Sequence, residues 1–358
     1  SATRVNASQL IEKGRENLAL HSDWDDVGTG VPPTGWSTYD PNFQAGTETG
    51  QIKFTPSGDR GYIFQSISLN VGVYAFSFYC DSVVTACNIS STIVVYGSAT
   101  KTTIGYFEDG VSVSNTNPIQ AGKRYTFVFN VTGAGTGVFR AGAGVNNNEI
   151  ADITLSRPQV EKSLVATPYI ETGALTAQAG ILEDTPRFDY SGGATCPSLL
   201  LEPSRSNDIP QSEYIKALGS LQNMTLLNNA SVNPQGLQYA TEAVPTGNNA
   251  THIFFKSGMG NAANTFTQSI YAKANGYNFC FIRFDLPTTH AWFDLENGVV
   301  GQTQAGMTST IEDAGNGWYR CTATFTATQY ANAVIGVSNQ DGITNFAANG
   351  TSSVLFWG

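Results

Sequence analysis

Charge is scarce in this sequence. Asp, Glu, Lys and Arg make up 13% of its 358 residues, about half the share usual in soluble domains. Basic residues are the scarcer kind, 18 against 28 acidic ones, for a formal charge of -10. No broad positive field is available to neutralise phosphates or anionic lipid, so neither nucleic acid nor membrane is an expected partner. No apolar run approaches the roughly 18 residues that a spanning helix needs. The opening residues SATRVNASQL also lack the apolar core of a secretory signal.

Catalytic vocabulary is equally thin. The three histidines, His21, His252 and His290, lie far apart, and no HExxH or GxSxG phrase occurs. The glycine-containing stretches TGAGTG and AGAG, within residues 132–144, lack the GKS or GKT ending of a phosphate-binding loop and read as compact turns or a bulge. The five cysteines, Cys80, Cys87, Cys196, Cys280 and Cys321, show no close-paired zinc spacing. Cys80 and Cys87 admit two readings: a disulfide between neighbouring strands in an oxidising compartment, or buried free thiols.

What the sequence does contain is alternation with period two. Tyr74, Phe76, Phe78 and Cys80 share one side of YAFSFYC, opposite Ala75, Ser77 and Tyr79. In RYTFVFNV the side carrying Tyr125, Phe127, Phe129 and Val131 opposes Thr126, Val128 and Asn130. CTATFTAT sets Cys321, Ala323 and Phe325 against Thr322, Thr324 and Thr326. These are the marks of half-buried strands, and GYIFQSISL and STIVVYG add more. A strand that hides one face needs a second sheet against it, so the chain is expected to be all-β, built as sandwiches or barrels.

The order of segments repeats loosely. Leu10, Ile11 and Glu12 precede one strand-rich block, and Ile181, Leu182 and Glu183 echo them before a second. The expected organisation is a leader at 1–14, a first β domain at 15–172, a connector at 173–206 and a second β domain at 207–358. The closing residues SSVLFWG alternate like a strand and stop abruptly, so the natural polypeptide is expected to continue.

Several phrases carry a resemblance. They are SATRVNASQLIE followed by RENLALHS, and TPRFDYSGGATCPSLLLEPSRSN, which carries Thr185, Pro186, Arg187, Phe188, Asp189, Tyr190, Cys196, Pro197, Leu199 to Leu201, Glu202, Pro203, Arg205 and Asn207. In the second block FTQSIYAKA, FDLENGVVG and TIEDAGNGWYRCTATFTA add to them. On these the chain resembles bacteriophage tail fibre, tail spike and other virion-surface fibre proteins with carbohydrate-binding-module-like jelly-roll domains. The resemblance implies tandem antiparallel β-sandwiches of the jelly-roll, concanavalin-like kind on the external surface of a virion. It implies other virion proteins and a host cell-surface glycan as partners, and a homo-oligomer such as a trimer. In such proteins a strand ending in Trp-Gly is followed by an exit phrase. The first block has a version of it in RPQVEKSLVATPYIETG, from Arg157 to Gly173, whereas the second stops at Trp357 and Gly358. The second domain is therefore expected to be truncated at its exit. None of the matching phrases is catalytic, so the expected role is non-enzymatic, with a purely structural connector or decoration protein and a glycan-degrading tail spike fragment as alternatives.

Read physically, the connector phrase suits pinning. Arg187 and Arg205 can pair with Asp189, Glu183 or Glu202, and Pro197 and Pro203 bracket Leu199 to Leu201 as a short buried strand. Sugar recognition wants exposed rings beside short polar side chains. Trp292, Trp318, Tyr319, Tyr277 and Asn316 are candidates in the second domain, and Trp24, Trp36 and Tyr39 in the first, each with a core or edge role as the competing reading. Hydrolysis of a glycoside would need two carboxylates across a cleft, drawn from Asp285, Asp294, Glu296, Glu312 and Asp313. No cofactor is required by any motif. A structural calcium is the one ion the turns suggest, on Asp294, Glu296 and Asp313, with solvated turn carboxylates as the competing reading.

Overall fold

The computed structural model describes residues 3–6, 10–56, 58, 60–144, 150–181, 186–190, 194–200, 207–209, 211–247, 249–259, 264–285, 288–327 and 332–358. The chain is all-β, and it divides into two compact units. The first comprises Ser1–Ala2 and Lys13–Asp184, the second Thr3–Glu12 and Thr185–Gly358. The break thus falls inside the connector. The leader, expected ahead of the first domain, belongs for the most part to the second unit, where Leu10 meets Gly236 and the Ile11 amide donates to the Pro234 carbonyl at 3.0 Å.

The leader holds β1 (Thr3–Val5) and β2 (Ile11–Lys13), which pair with each other. The first unit then runs through β3 (Arg15–Asn17), β4 (Ser37–Asp40), β5 (Phe43–Ala45), β6 (Gln51–Phe54), β7 (Gly61–Leu69), β8 (Gly72–Thr85), β9 (Ile93–Gly97), β10 (Thr100–Glu108), β11 (Val111–Val113), β12 (Lys123–Gly133), β13 (Gly135–Ala143), β14 (Asp152–Glu161) and β15 (Ala177–Ala179). Seven of these strands form a sheet in the order β11-β10-β12-β8-β14-β6-β5, and four form another in the order β4-β7-β13-β9. Their registers are antiparallel.

The alternation of the sequence explains the core of this unit. Phe76, Phe78, Tyr125, Phe127 and Phe129 of the larger sheet share one apolar cluster with Ile63, Ile93, Val95 and Phe139 of the smaller, and Phe76 meets Phe139 edge to face at 5.3 Å. Burying a large side chain is worth about 1.5–3 kcal/mol, so these rings account for much of what holds the sheets together. Cys80 and Cys87 are both buried free thiols, the second of the two readings, and burial pushes the Cys80 thiol up to about 12.

One expectation needs correcting here. The strands around YAFSFYC and RYTFVFNV are buried on both faces, because Ala75, Ser77, Thr126 and Val128 are covered as well. The RENLALHS and RPQVEKSLVATPYIETG phrases clasp each other through a buried polar network. Asn17 Nδ2 donates to the Pro158 and Ile170 carbonyls at 3.3 and 2.8 Å, while its Oδ1 accepts from the Ala19 and Val160 amides at 3.1 and 3.0 Å. Glu161 accepts from the Thr167 amide and hydroxyl at 2.9 and 2.6 Å and from Gln159 Nε2 at 2.8 Å. Arg124 donates to the Thr167 carbonyl and to Ser77 Oγ. A sheet face carrying Ser and Thr is thus dried by a segment that satisfies its own polar groups.

The second unit contains β16 (Phe188–Asp189), β17 (Ser198–Leu199), β18 (Ser220–Gln222), β19 (Met224–Val232), β20 (Gln238–Pro245), β21 (Ala250–Ser257), β22 (Asn264–Asn275), β23 (Phe279–Phe284), β24 (Thr289–Asp294), β25 (Val299–Thr303), β26 (Met307–Asp313), β27 (Tyr319–Ala327), β28 (Asn332–Ser338), β29 (Asn345–Phe346) and β30 (Ser353–Trp357). One sheet runs β18-β21-β28-β23-β24-β25, with β29 beside β21, and the other runs β19-β20-β30-β22-β27-β26. Phe254 of the first packs edge to face on Phe356 of the second at 5.3 Å, and the Cys280 and Cys321 sulfurs lie 4.0 Å apart between the sheets. The closing segment is a central strand, with β20 and β22 on its two sides.

In the connector phrase, Phe188 and Asp189 pair with Leu199 and Ser198 as a hairpin. Leu199 is 53% exposed and Phe188 44% exposed, so the predicted buried strand at Leu199 to Leu201 is not buried at Leu199, and Leu201 lies outside the described residues. Glu183, Glu202 and Arg205, three of the five residues offered for pinning, also lie outside them. The Arg187 carbonyl accepts from the Leu200 amide at 2.8 Å, which gives it a backbone role in the hairpin.

Candidate functional site

The sequence candidates part company once their surroundings are known. Trp24, Trp36, Trp292, Trp318 and Tyr277 are buried, and no sugar face reaches a ring in that position. The polar tips of four of them serve the fold, as buried indoles and phenols usually do, while Trp24 Nε1 is buried without a partner. Trp36 Nε1 donates to the Leu20 carbonyl at 3.0 Å, Trp292 Nε1 to Ile343 at 2.9 Å and Trp318 Nε1 to Val232 at 3.1 Å. Tyr277 Oη accepts from the Asn349 amide at 3.1 Å, and Trp24 packs edge to face on Trp36 at 5.4 Å. These five assignments to sugar contact are therefore corrected to core roles. The reason is that large rings bury the most apolar area, which favours them where sheets pack.

Tyr319 is half-buried, with its ring over Gly298, whose positive φ belongs to the turn after Asp294. Asn316 is exposed at a φ of 54°, and its carbonyl accepts from Lys273 Nζ at 2.7 Å. Asn tolerates this left-handed turn conformation better than most residues, which accounts for its presence. Neither residue stands on a ring platform.

The proposed calcium ligands do not converge. Asp294 Oδ1 accepts from the Glu296 and Asn297 amides at 2.9 and 3.1 Å, and its Oδ2 accepts from Asn297 Nδ2 at 2.8 Å. Glu296 accepts from Asn278 Nδ2 at 2.7 Å, and Asp313 Oδ1 from the Gly315 amide at 2.8 Å. Asp294 and Asp313 each close their own turn, Glu296 is held by Asn278, and no three His, Cys, Asp or Glu side chains gather into a metal-holding group among the described residues. The other carboxylates weighed as a hydrolytic pair are engaged too: Asp285 with Arg283 at 2.9 Å and with Asn332, Glu312 with Arg320 at 3.9 Å. His252 is fully buried between the Asn223 and Phe346 carbonyls, and His290 stacks on Trp292 at 5.1 Å.

Tyr39 is the candidate that the structure leaves open, 67% exposed on β4. It is also the end of a row that the sequence did not reveal. On the outer face of the β4-β7-β13-β9 sheet, Tyr39 stacks on Tyr62 at 5.4 Å with an interplanar angle of 7°. The Arg140 guanidinium lies 4.9 Å from the Tyr62 ring centroid and 4.2 Å from that of Tyr96, which is 41% exposed. Arg60 stands 6.0 Å from the Tyr39 centroid. One residue from each of four successive strands therefore forms a Tyr-Tyr-Arg-Tyr line across the sheet, about 14 Å long at the usual strand spacing. The inward side chains of the same strands, Ile63, Phe139 and Val95, are set in the core.

Gly142 makes the row possible. It is the cross-strand partner of Tyr62 and has a φ of 153°, and a Cβ there would stand 2.5 Å from Tyr62 Cα and 2.7 Å from its Cβ. The AGAG phrase is thus for the most part the end of strand β13, with Gly142 the smallest residue opposite a large ring, while TGAGTG forms the tight link between β12 and β13. The signal available in the sequence was the alternation of Tyr62 with Phe64 and of Val138 with Arg140, but their pairing across strands depends on registers that local spacing does not encode.

Such a row offers the exposed rings of Tyr39 and Tyr96 at its two ends and a half-buried cation between them, while Tyr62 is buried and serves as their support. Cation-π contacts of this kind are each worth about 0.5–2 kcal/mol and hold the rings in place.

No family model matches the chain, and no curated protein matches it. Among solved structures it is aligned with vicilin from Corylus avellana (hazelnut), at 11% identity, over 87% of this chain and 88% of that chain, with a TM-score of 0.10, a likeness that carries no argument.

Proposed function

We propose that this protein is a non-enzymatic bacteriophage virion structural protein, a fibre or appendage segment that contributes to host-surface carbohydrate recognition. The observation that carries the reading is the Tyr39-Tyr62-Arg140-Tyr96 row, which is exposed at Tyr39 and Tyr96, half-buried at Arg140 and buried at Tyr62, on a sheet whose other face is packed into a core. Sugars are bound by stacking of their C–H faces on aromatic rings held without conformational freedom, with polar groups alongside to fix orientation. Both units are read here as jelly-roll, carbohydrate-binding-module-like sandwiches. The antiparallel registers and the shared core of facing sheets support that reading. A single shallow platform gives weak affinity, and a homo-oligomer, a trimer for instance, displayed on a virion surface with other virion proteins would multiply it through effective concentration.

The test is binding of the purified chain to a panel of bacterial surface polysaccharides, with product release followed at the same time. Saturable binding without fragment release, lost on Tyr39→Ala, is the expected outcome. Fragment release would replace the reading with an enzymatic one. A second reading, a connector or decoration protein, draws on the exposed Phe188 and Leu199 pair of the β16-β17 hairpin. Failure to bind any polysaccharide would favour it.

A further inference from the structure

We infer that the row takes an acidic glycan, with a sugar carboxylate seated on the Arg140 guanidinium. This rests on the carbohydrate reading and narrows it to a ligand class.

The argument begins with what arginines do elsewhere in the chain. Arg124 donates to a carbonyl and a hydroxyl, Arg283 pairs with Asp285 at 2.9 Å and Arg320 with Glu312 at 3.9 Å. Acidic residues outnumber basic ones by 28 to 18, so carboxylates are not in short supply. Arg140 contacts rings, Tyr62 on one side and Tyr96 on the other; its Nε is buried without a hydrogen-bond partner, as those of Arg124 and Arg283 also are, but unlike those two its side chain makes no ion pair or hydrogen bond with the described residues. A guanidinium carries five N–H donors and no acceptor. Stacked between two rings the half-buried side chain loses its rotational freedom, and with Nε buried it is the pair of terminal Nη groups that is left to meet a ligand. That is the pre-organised fork that matches a carboxylate with two parallel hydrogen bonds.

The surroundings agree. Arg140 lies opposite Phe64 of β7 and Val94 of β9, and Val138, two positions earlier on the same face, lies opposite Ser66 and Tyr96, so these neighbours bring no carboxylate to compete for the fork. Arg60 lies at the Tyr39 end of the row and adds positive charge there. A neutral sugar would use the rings and leave the fork without an anion. An acidic sugar uses both.

The experiment titrates the full chain with uronic-acid polysaccharides, galacturonan, glucuronan and alginate, each beside its carboxyl-reduced neutral counterpart, at low and moderate salt. The acidic form of at least one is expected to bind about tenfold tighter or more than its neutral counterpart, from charge-assisted bonds worth about 1.5–3 kcal/mol, with the advantage shrinking as salt rises. Arg140→Gln should erase the difference, and Arg140→Lys, which keeps charge without the fork, should retain only part of it. Should Arg140→Gln fail to fold, Val138→Glu supplies an internal carboxylate beside the fork and should also erase the preference. Equal affinity for acidic and neutral forms, or an acidic preference that survives Arg140→Gln or, where that variant does not fold, Val138→Glu, overturns the inference and leaves the glycan reading standing. Binding to neutral polysaccharides alone does the same. Binding to none of these nor to the bacterial panel overturns both.

Discussion

Replacing Asn17 with Ala tests whether the clasp between the two ends of the first unit holds its larger sheet closed. Asn17 is fully buried, and its side chain makes four hydrogen bonds, two as donor to Pro158 and Ile170 and two as acceptor from Ala19 and Val160. Alanine removes all four at once. The orphaned Ala19 and Val160 amides each cost about 1–3 kcal/mol when water cannot replace the lost partner, which sets the expected destabilisation at about 2–5 kcal/mol. Asn207 is the internal control. It is exposed, with one amide accepted from Ile209 and a 3.3 Å contact to Ser212 Oγ, so Asn207→Ala should cost under about 0.5 kcal/mol. Because the units need not unfold together, the assay is hydrogen exchange by mass spectrometry across increasing urea, read on peptides covering 15–22 and 158–173. Asn17→Ala should raise exchange in both peptides by about 30-fold or more while leaving second-unit peptides unchanged. If both Asn variants exchange like the parent protein, the clasp is not what covers this sheet face.

Further predictions concern the second unit and the thiols. Cys196 is exposed and the other four cysteines are buried, so the native protein should present one rapidly reactive thiol to a disulfide reagent and five after denaturation; two or more fast thiols would contradict the burial. Gly336→Ala places a Cβ 2.0 Å from the Phe281 ring, within the small cluster of Ile253, Phe281, Trp292 and Val334, and should lower second-unit stability by about 1–3 kcal/mol in urea melts. Burial depresses His290, with Arg283 adding to the effect and the Gln304 contact opposing it. The unfolded chain therefore takes up a proton near pH 6.5 that the folded one refuses until lower pH, so second-unit stability should fall on acidification from about pH 6.5 and rise again toward neutrality. In His290→Phe that slope should flatten, and an unchanged slope would assign it to another group.

The strands were legible because alternation is local. Phe76, Phe78, Tyr125, Phe127 and Phe325 point into their cores as the period of two requires. The burial of Ser77 and Thr126 was not, since the Arg124 that bonds Ser77 is itself held by the Thr167 carbonyl, which arrives from a distant part of the chain. The tryptophans followed the competing core reading: ring type made them candidates for sugar stacking, but Trp24, Trp292 and Trp318 are each within 2% of full burial, where the area of the ring is worth most. Tyr39 was legible as a candidate, whereas its companions Tyr62, Arg140 and Tyr96 come from three other strands and are joined only by register. The turn carboxylates Asp294 and Asp313 followed the alternative reading, because an Asp two residues before a free backbone amide closes a turn by itself.

The most direct test of the account is hydroxyl-radical footprinting of the full chain with and without the tightest-binding polysaccharide of the bacterial panel. Tyr39 and Tyr96 are predicted to lose reactivity on binding, while Tyr319, half-buried on the second unit, keeps its own. Saturable binding that leaves Tyr39 and Tyr96 as reactive as in the free protein would contradict the assignment of recognition to this face.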